Sequence, residues 1–141
     1  VRLANDFKNI IGIKEAAGDM AQALELIRTK PAGFDIISGD DMLALPITLA
    51  GGAGVISVIA QGIPKQFSEL IRLGLAGKPS EAFAIQYQIM TSIDLIFAEG
   101  NPTGIKSMLH QMGMCEAILR LPLTSATPSL QSEIKKFLGS L

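Results

Sequence analysis

The sequence predicts an α/β fold built on parallel strands, and three observations point to it. Short apolar runs at residues 9–15, 34–38 and 54–59 alternate with stretches of helical spacing. Strand signals stop after Gly77, and the remaining residues carry helical patterns only. Apolar stretches are broken by Gly, Pro or charge, as at Gly51-Gly52 and Pro64-Lys65, well before the roughly 18 residues a membrane span needs.

The first run, Asn9-Ile10-Ile11-Gly12-Ile13-Lys14-Glu15, is too short for a buried helix and reads as a strand. The pattern then switches to a helix over residues 19–28, with Met20, Ala23, Leu24 and Ile27 on one face and Asp19 as its N-cap. Pro31 and Gly33 end it. The cycle repeats with a strand at 34–38, a turn at Gly39-Asp40-Asp41 and a short helix at 42–49 closed by Gly51-Gly52. The third strand is expected at 54–59, and Pro64 leads a helix over 66–75. Residues 78–98, 102–112 and 129–138 then read as three tail helices separated by Gly100-Asn101, Gly113 and the 122–128 loop.

Strands alternating with helices imply parallel pairing through right-handed crossovers. A three-stranded parallel sheet would leave two edges of unpaired backbone groups, which closure into a barrel removes. Residues 1–77 are therefore read as the last three βα units of a (βα)8 TIM barrel, and 78–141 as a carboxyl-terminal helical domain. An open three-layer α/β domain satisfies the periodicity equally well. The start, Val1-Arg2-Leu3-Ala4-Asn5-Asp6, has no basic region followed by an apolar one, so no signal peptide is expected, and the missing initiator Met suggests truncation.

Twelve basic and thirteen acidic residues give a net charge of -1 without a block of either sign, so neither nucleic acid nor an anionic membrane is expected as a partner. Cys115 is the sole cysteine, which excludes an intramolecular disulfide and a cysteine metal cluster and fits a reducing cytoplasm.

Strand parity puts Gly12 and Lys14 on one face of the first strand and Ile11, Ile13 and Glu15 on the other. In a barrel Lys14 would point inward near the strand's carboxyl end, the face where such folds place their active sites. Partial desolvation there favours the neutral amine needed to attack a ketone, and the resulting iminium acidifies the adjacent carbon. By position alone, a strand-end lysine that simply extends its charge to water is the more frequent case. The loops 15–19, 39–41 and 59–62 would share that rim. Gly39 and the Gly54-Val55-Ile56 backbone would let a small keto acid approach main-chain groups, while Asp40 and Asp41 would orient a polar substrate tail or cap the following turn.

Four segments, Ile11-Gly12-Ile13-Lys14-Glu15-Ala16, Ser38-Gly39-Asp40-Asp41, Gly51-Gly52-Ala53-Gly54-Val55-Ile56-Ser57 and Asn101-Pro102-Thr103-Gly104-Ile105-Lys106, resemble the dihydrodipicolinate synthase family in order and spacing. The resemblance extends to Arg120-Leu121-Pro122-Leu123 and covers about the second half of a family member. It implies a barrel with a carboxyl-terminal helical domain, a pyruvate Schiff base on Lys14, and a pyruvate pocket that uses Gly39 and the backbone of Ile56, with Asp40, Asp41 and Ser57 as further substrate-binding candidates. It further implies condensation of pyruvate with aspartate semialdehyde in lysine and diaminopimelate biosynthesis, no metal or organic cofactor, a cytoplasmic location and a homo-oligomer, tetramer or dimer.

The family's proton-relay tyrosines, its carboxylate-binding arginine and its lysine-feedback site would belong to a first half outside this sequence, so this chain alone is not expected to turn over. Gly104 stands where the family often has proline, and Gln61 where asparagine is common. A sialate lyase or another keto-acid aldolase would keep Lys14 and change the aldehyde. Met42, where sialate lyases tend to have glutamate, argues against a polyhydroxylated substrate. A non-catalytic half-barrel module needing a partner is the alternative of a different class. His110 is expected on a helix surface or in the core, and Cys115, with no second histidine to activate it, is expected to be inert.

Overall fold

The computed structural model describes all 141 residues. The elements run α1 (Arg2–Asp6), β1 (Gly12–Glu15), α2 (Met20–Thr29), β2 (Asp35–Ser38), α3 (Ala44–Leu49), β3 (Gly54–Val55), a 3-10 turn (Ile59–Gln61), α4 (Pro64–Leu75), α5 (Pro79–Phe97), α6 (Thr103–Gln111) and α7 (Pro128–Leu138). The three strands form one parallel sheet in the order β1-β2-β3, with Lys14 beside Ile37 and Ser38 beside Val55. Helix α1 has no counterpart in the sequence reading. It buries none of its five residues, and a helix without an apolar stripe leaves no periodicity to read.

Local chemistry sets the boundaries. Asp19 caps α2 by accepting the amides of Ala21 at 2.8 Å and Gln22 at 3.2 Å. Helices α4, α5 and α7 each open on proline, where the missing N–H costs no intrahelical bond. Thr127 caps α7 through Leu130 N–H and is itself held by the Glu99 carboxylate beyond the end of α5. Within α2 the expected apolar face is only partly covered. Ala23 is fully buried, but Leu24 is half exposed, because α2 packs on α3 and β2 and on little else.

The third strand is much shorter than the expected 54–59. Its pairing ends with Ile56 N–H on Ser38 O at 2.8 Å, after which the amides of Val58 and Ile59 turn away from the ladder to the Asp41 carboxylate. Donors committed to a side chain cannot extend a strand, so the chain winds into the 3-10 turn instead. The third helix likewise begins at Ala44 rather than Met42, because Asp40 Oδ1 accepts the Leu43 amide at 2.9 Å and holds the preceding residues in a turn.

The main core lies in the helical layer. Seventeen buried residues join Ala44 and Leu45 of α3 and Ile59 of the 3-10 turn to Phe67 and Leu70 of α4, Ile89 and Ile96 of α5, Met108 of α6 and Ile134 of α7. Each of these Leu, Ile, Phe and Met side chains contributes about 1.5–3 kcal/mol on burial, so the tail helices and α4 stabilise one shared body that crosses residues 77 and 78. By contrast β1 has a neighbour on one side only, and Ile11 and Ile13 are exposed. Helix α6 approaches α5 so closely at Gly104 that a side chain there would meet the Ile96 backbone, with its carbonyl carbon and Cα both 2.6 Å from a Cβ.

Candidate active site

Lys14 sits one residue before the end of β1, on the sheet face that it shares with its register partner Ile37. Its side chain runs across Gly39, the first residue after β2. A Cβ built on Gly39 would lie 2.5 Å from Lys14 Cε, 3.0 Å from Lys14 Cγ and 2.6 Å from Ala16 Cβ. Only hydrogen fits at that position. The backbone ladder continues past the strands, with Gly39 N–H on Glu15 O at 2.6 Å and Ile56 N–H on Ser38 O at 2.8 Å. Lys14, Gly39 and Ile56 therefore line up along the carboxyl ends of three adjacent strands, the rim where parallel α/β folds gather functional groups.

Each loop at this rim is tied by its own polar side chain. Glu15, buried, accepts the Ala17 amide at 2.6 Å and the Gln22 side-chain amide at 2.9 Å, which fixes the loop after Lys14. Ser38, fully buried, donates to Asp40 O at 2.8 Å and accepts Asp40 N–H at 3.2 Å. Ser57 Oγ accepts the Ala60 amide at 2.9 Å.

A cleft of about 500 Å³ opens at the second loop. One wall is Ala16 with Gly39, Asp40, Asp41 and Met42, and the other is Ile93, Asp94 and Phe97 of α5 with Ala98 just beyond its end. The α5 wall was not legible beforehand, since Asp94 and Phe97 lie more than fifty positions from the loop they face.

The expected site residues do not all converge. Lys14 and Gly39 are in contact, and Asp40 and Asp41 border the cleft. The Asp41 side chain has another engagement. It is 2% exposed and both carboxylate oxygens are taken by backbone amides, so its carboxylate is not presented to the cleft as the expected substrate-orienting group. Ser57 opens instead onto a separate groove of about 380 Å³ with Val55, Phe67 and Ile71, while the Ile56 side chain is half exposed. Lys14 was expected to be partly desolvated. In this chain it is exposed, because β1 is an edge strand and no further element covers its face.

The remaining candidates stand apart from the cleft. His110 is exposed and its Nδ1 lies 3.0 Å from Cys115 O, as a donor in the matching tautomer, and Cys115 is a free, exposed thiol. The one tyrosine, Tyr87, is exposed and stacks on Phe83 at 5.7 Å. No three His, Cys, Asp or Glu side chains are grouped to hold a metal ion, and no helix is long and apolar enough to cross a membrane.

The sequence profile of the dihydrodipicolinate synthetase family matches residues 1–141. The chain belongs to the dihydrodipicolinate synthetase family. A 4-hydroxy-tetrahydrodipicolinate synthase of Flavobacterium psychrophilum is 53% identical over 141 residues, all of this chain and 48% of that protein. Among solved structures, dihydrodipicolinate synthase from Aquifex aeolicus superposes with a TM-score of 0.95 at 34% identity, over 99% of this chain and 47% of that one. The dihydrodipicolinate synthase of Acinetobacter baumannii, complexed with pyruvate, gives 0.89 at 34% identity, over 93% and 45%. The chain spans about half the length of the curated relatives it matches. The family match includes the Lys14 strand, the 39–42 loop and α5 alike, so both walls of the cleft lie within it.

Proposed function

We propose that this chain is the carboxyl-terminal half of a Schiff-base lyase, with Lys14 as the imine former. Residues 1–77 supply the last three βα units of a (βα)8 barrel and residues 78–141 a carboxyl-terminal helical domain. The single observation that supports the reading most is the passage of Lys14 over Gly39: a lysine at the strand-end rim lies against a position where only hydrogen fits.

The chemistry follows from the amine. Lys14 Nζ adds to the keto carbon of pyruvate, water leaves, and the iminium draws electrons from the methyl group so that it loses a proton. The enamine carbon then bonds to the aldehyde carbon of aspartate semialdehyde, whose oxygen takes up a proton. Attack on the imine carbon by water, or by the semialdehyde's own amine, then expels the Lys14 amine and frees a product that leads to diaminopimelate and lysine. The Lys14 imine uses no metal or organic cofactor.

The proton-moving groups are proposed to lie in the other half of the enzyme, since the sole tyrosine of this chain stacks on Phe83 and does not line the cleft. Activity then belongs to the whole protein, which we propose is cytoplasmic and a homo-oligomer, dimer or tetramer. Pyruvate and borohydride added to the full-length enzyme should leave a reduced adduct on Lys14 by mass spectrometry. Folded enzyme with an unmodified Lys14 would overturn the reading.

A further inference from the structure

The two loops that flank Lys14's neighbours are joined by one buried carboxylate. Asp41 belongs to the turn after β2, two residues beyond Gly39. Its carboxylate accepts Val58 N–H at 3.2 Å and 3.1 Å, on its two oxygens, and Ile59 N–H at 2.9 Å. These amides lie 17 and 18 residues further along the chain, in the turn that follows Ile56. Asp41 is 2% exposed and forms no ion pair, so backbone dipoles alone compensate its charge. Charge-assisted bonds of this kind are stronger than neutral ones, and a buried acceptor left without them is costly.

Two further contacts act on the same turn. Ser57 Oγ accepts Ala60 N–H, and Gln61 Nε2 donates to Val58 O at 3.2 Å. Both are local, spanning three residues. Asp41 alone reaches from the second rim loop to the third, and it does so where β3 stops. The position of the Ile56 main chain relative to Gly39 and Lys14 is thus set by the Ser38–Ile56 backbone bond on one side and by Asp41 on the other.

We infer that Asp41 is a positioning residue that holds the Ile56 turn against the Gly39 loop, and through it the main-chain wall of the keto-acid pocket, without touching either substrate. The inference rests on the Schiff-base reading and deepens it. An amide cannot substitute for the carboxylate, because asparagine offers one acceptor oxygen and turns an NH2 donor toward amides that are themselves donors.

The test uses the full-length enzyme with Asp41→Asn, followed in three measurements. Amide hydrogen exchange should show Val58 and Ile59 losing protection. Borohydride trapping of pyruvate on Lys14 at subsaturating pyruvate should fall on the order of tenfold to a hundredfold, the scale of a misplacement of about 1 Å. The KM for the aldehyde should stay unchanged. Wild-type trapping with a raised aldehyde KM would make Asp41 a substrate contact and overturn the inference, as would unchanged exchange at Val58 and Ile59. If wild-type enzyme gives no Lys14 adduct, the Schiff-base reading fails and Asp41's role in it falls with it. Should Asp41→Asn not fold, Asp41→Glu, which keeps both acceptors and adds one methylene, takes its place: lowered trapping with unchanged aldehyde KM supports positioning, and the reverse pattern refutes it.

Discussion

Replacing Gly39 with alanine tests the contact on which the site depends. The new Cβ would stand 2.5 Å from Lys14 Cε and 2.6 Å from Ala16 Cβ. Carbon atoms in ordinary contact are about 3.5–4.0 Å apart, so each separation must open by about 1 Å or more. Ala16 has no χ angle with which to move aside. Lys14 has four, and it lies exposed on an edge strand, so the lysine yields first. Moving Lys14 leaves the Ala16 contact in place, and only a backbone shift opens it, so the stability cost should fall in the overpacking range of about 1–3 kcal/mol. A chemical cost comes in addition, since displacing a reacting atom by about 1 Å can lower a rate by about a hundredfold. Trapping of pyruvate on Lys14 with borohydride, read by mass spectrometry beside a thermal melt, separates the two effects. If Gly39→Ala enzyme is trapped at the wild-type rate, Gly39 does not hold Lys14 in place and the geometric argument fails.

Two other outcomes follow from the packing and from the charges. Gly104→Ala in α6 presses a Cβ against the Ile96 backbone of α5, which no rotamer change relieves, so urea or thermal unfolding should show a loss of about 1–3 kcal/mol. An unchanged unfolding midpoint for Gly104→Ala would contradict that close approach. On the surface of α2, the Arg28 guanidinium bonds Glu25 at 2.6 Å and 2.8 Å, holding that carboxyl below its ordinary range and Arg28 above its own. A depressed carboxyl stabilises the fold above its unfolded value and loses that contribution as pH falls through its folded value. Both groups are fully exposed, so solvent screening leaves little of it, and Glu25→Gln should leave the acid limb of a stability curve unmoved while NMR titration of wild type shows the lowered carboxyl.

Much of the architecture was legible in the sequence because it depends on near neighbours. Alternating apolar runs and helical spacing marked the three strands and six of the helices, Asp19 and Pro64 marked helix starts, and a period of two put Lys14 on its face of β1. Helix α1 leaves no sequence signal because it buries nothing, and β3 is shorter than its apolar run because those residues continue to Ile59 while their amides leave the ladder.

The sequence by itself determined residue chemistry and local order: a lysine near a strand end, a glycine after the next strand, two aspartates behind it, and four segments whose order resembles one family. Tertiary structure alone decided what those residues touch. Gly39 matters because Lys14, twenty-five positions earlier, lies across it, and Asp41 serves the backbone rather than the cleft because two amides from another loop reach it first. The α5 wall with Asp94 and Phe97 is of the same kind. Such contacts join segments through space, and no periodicity along a chain encodes a distance between residues that folding alone brings together.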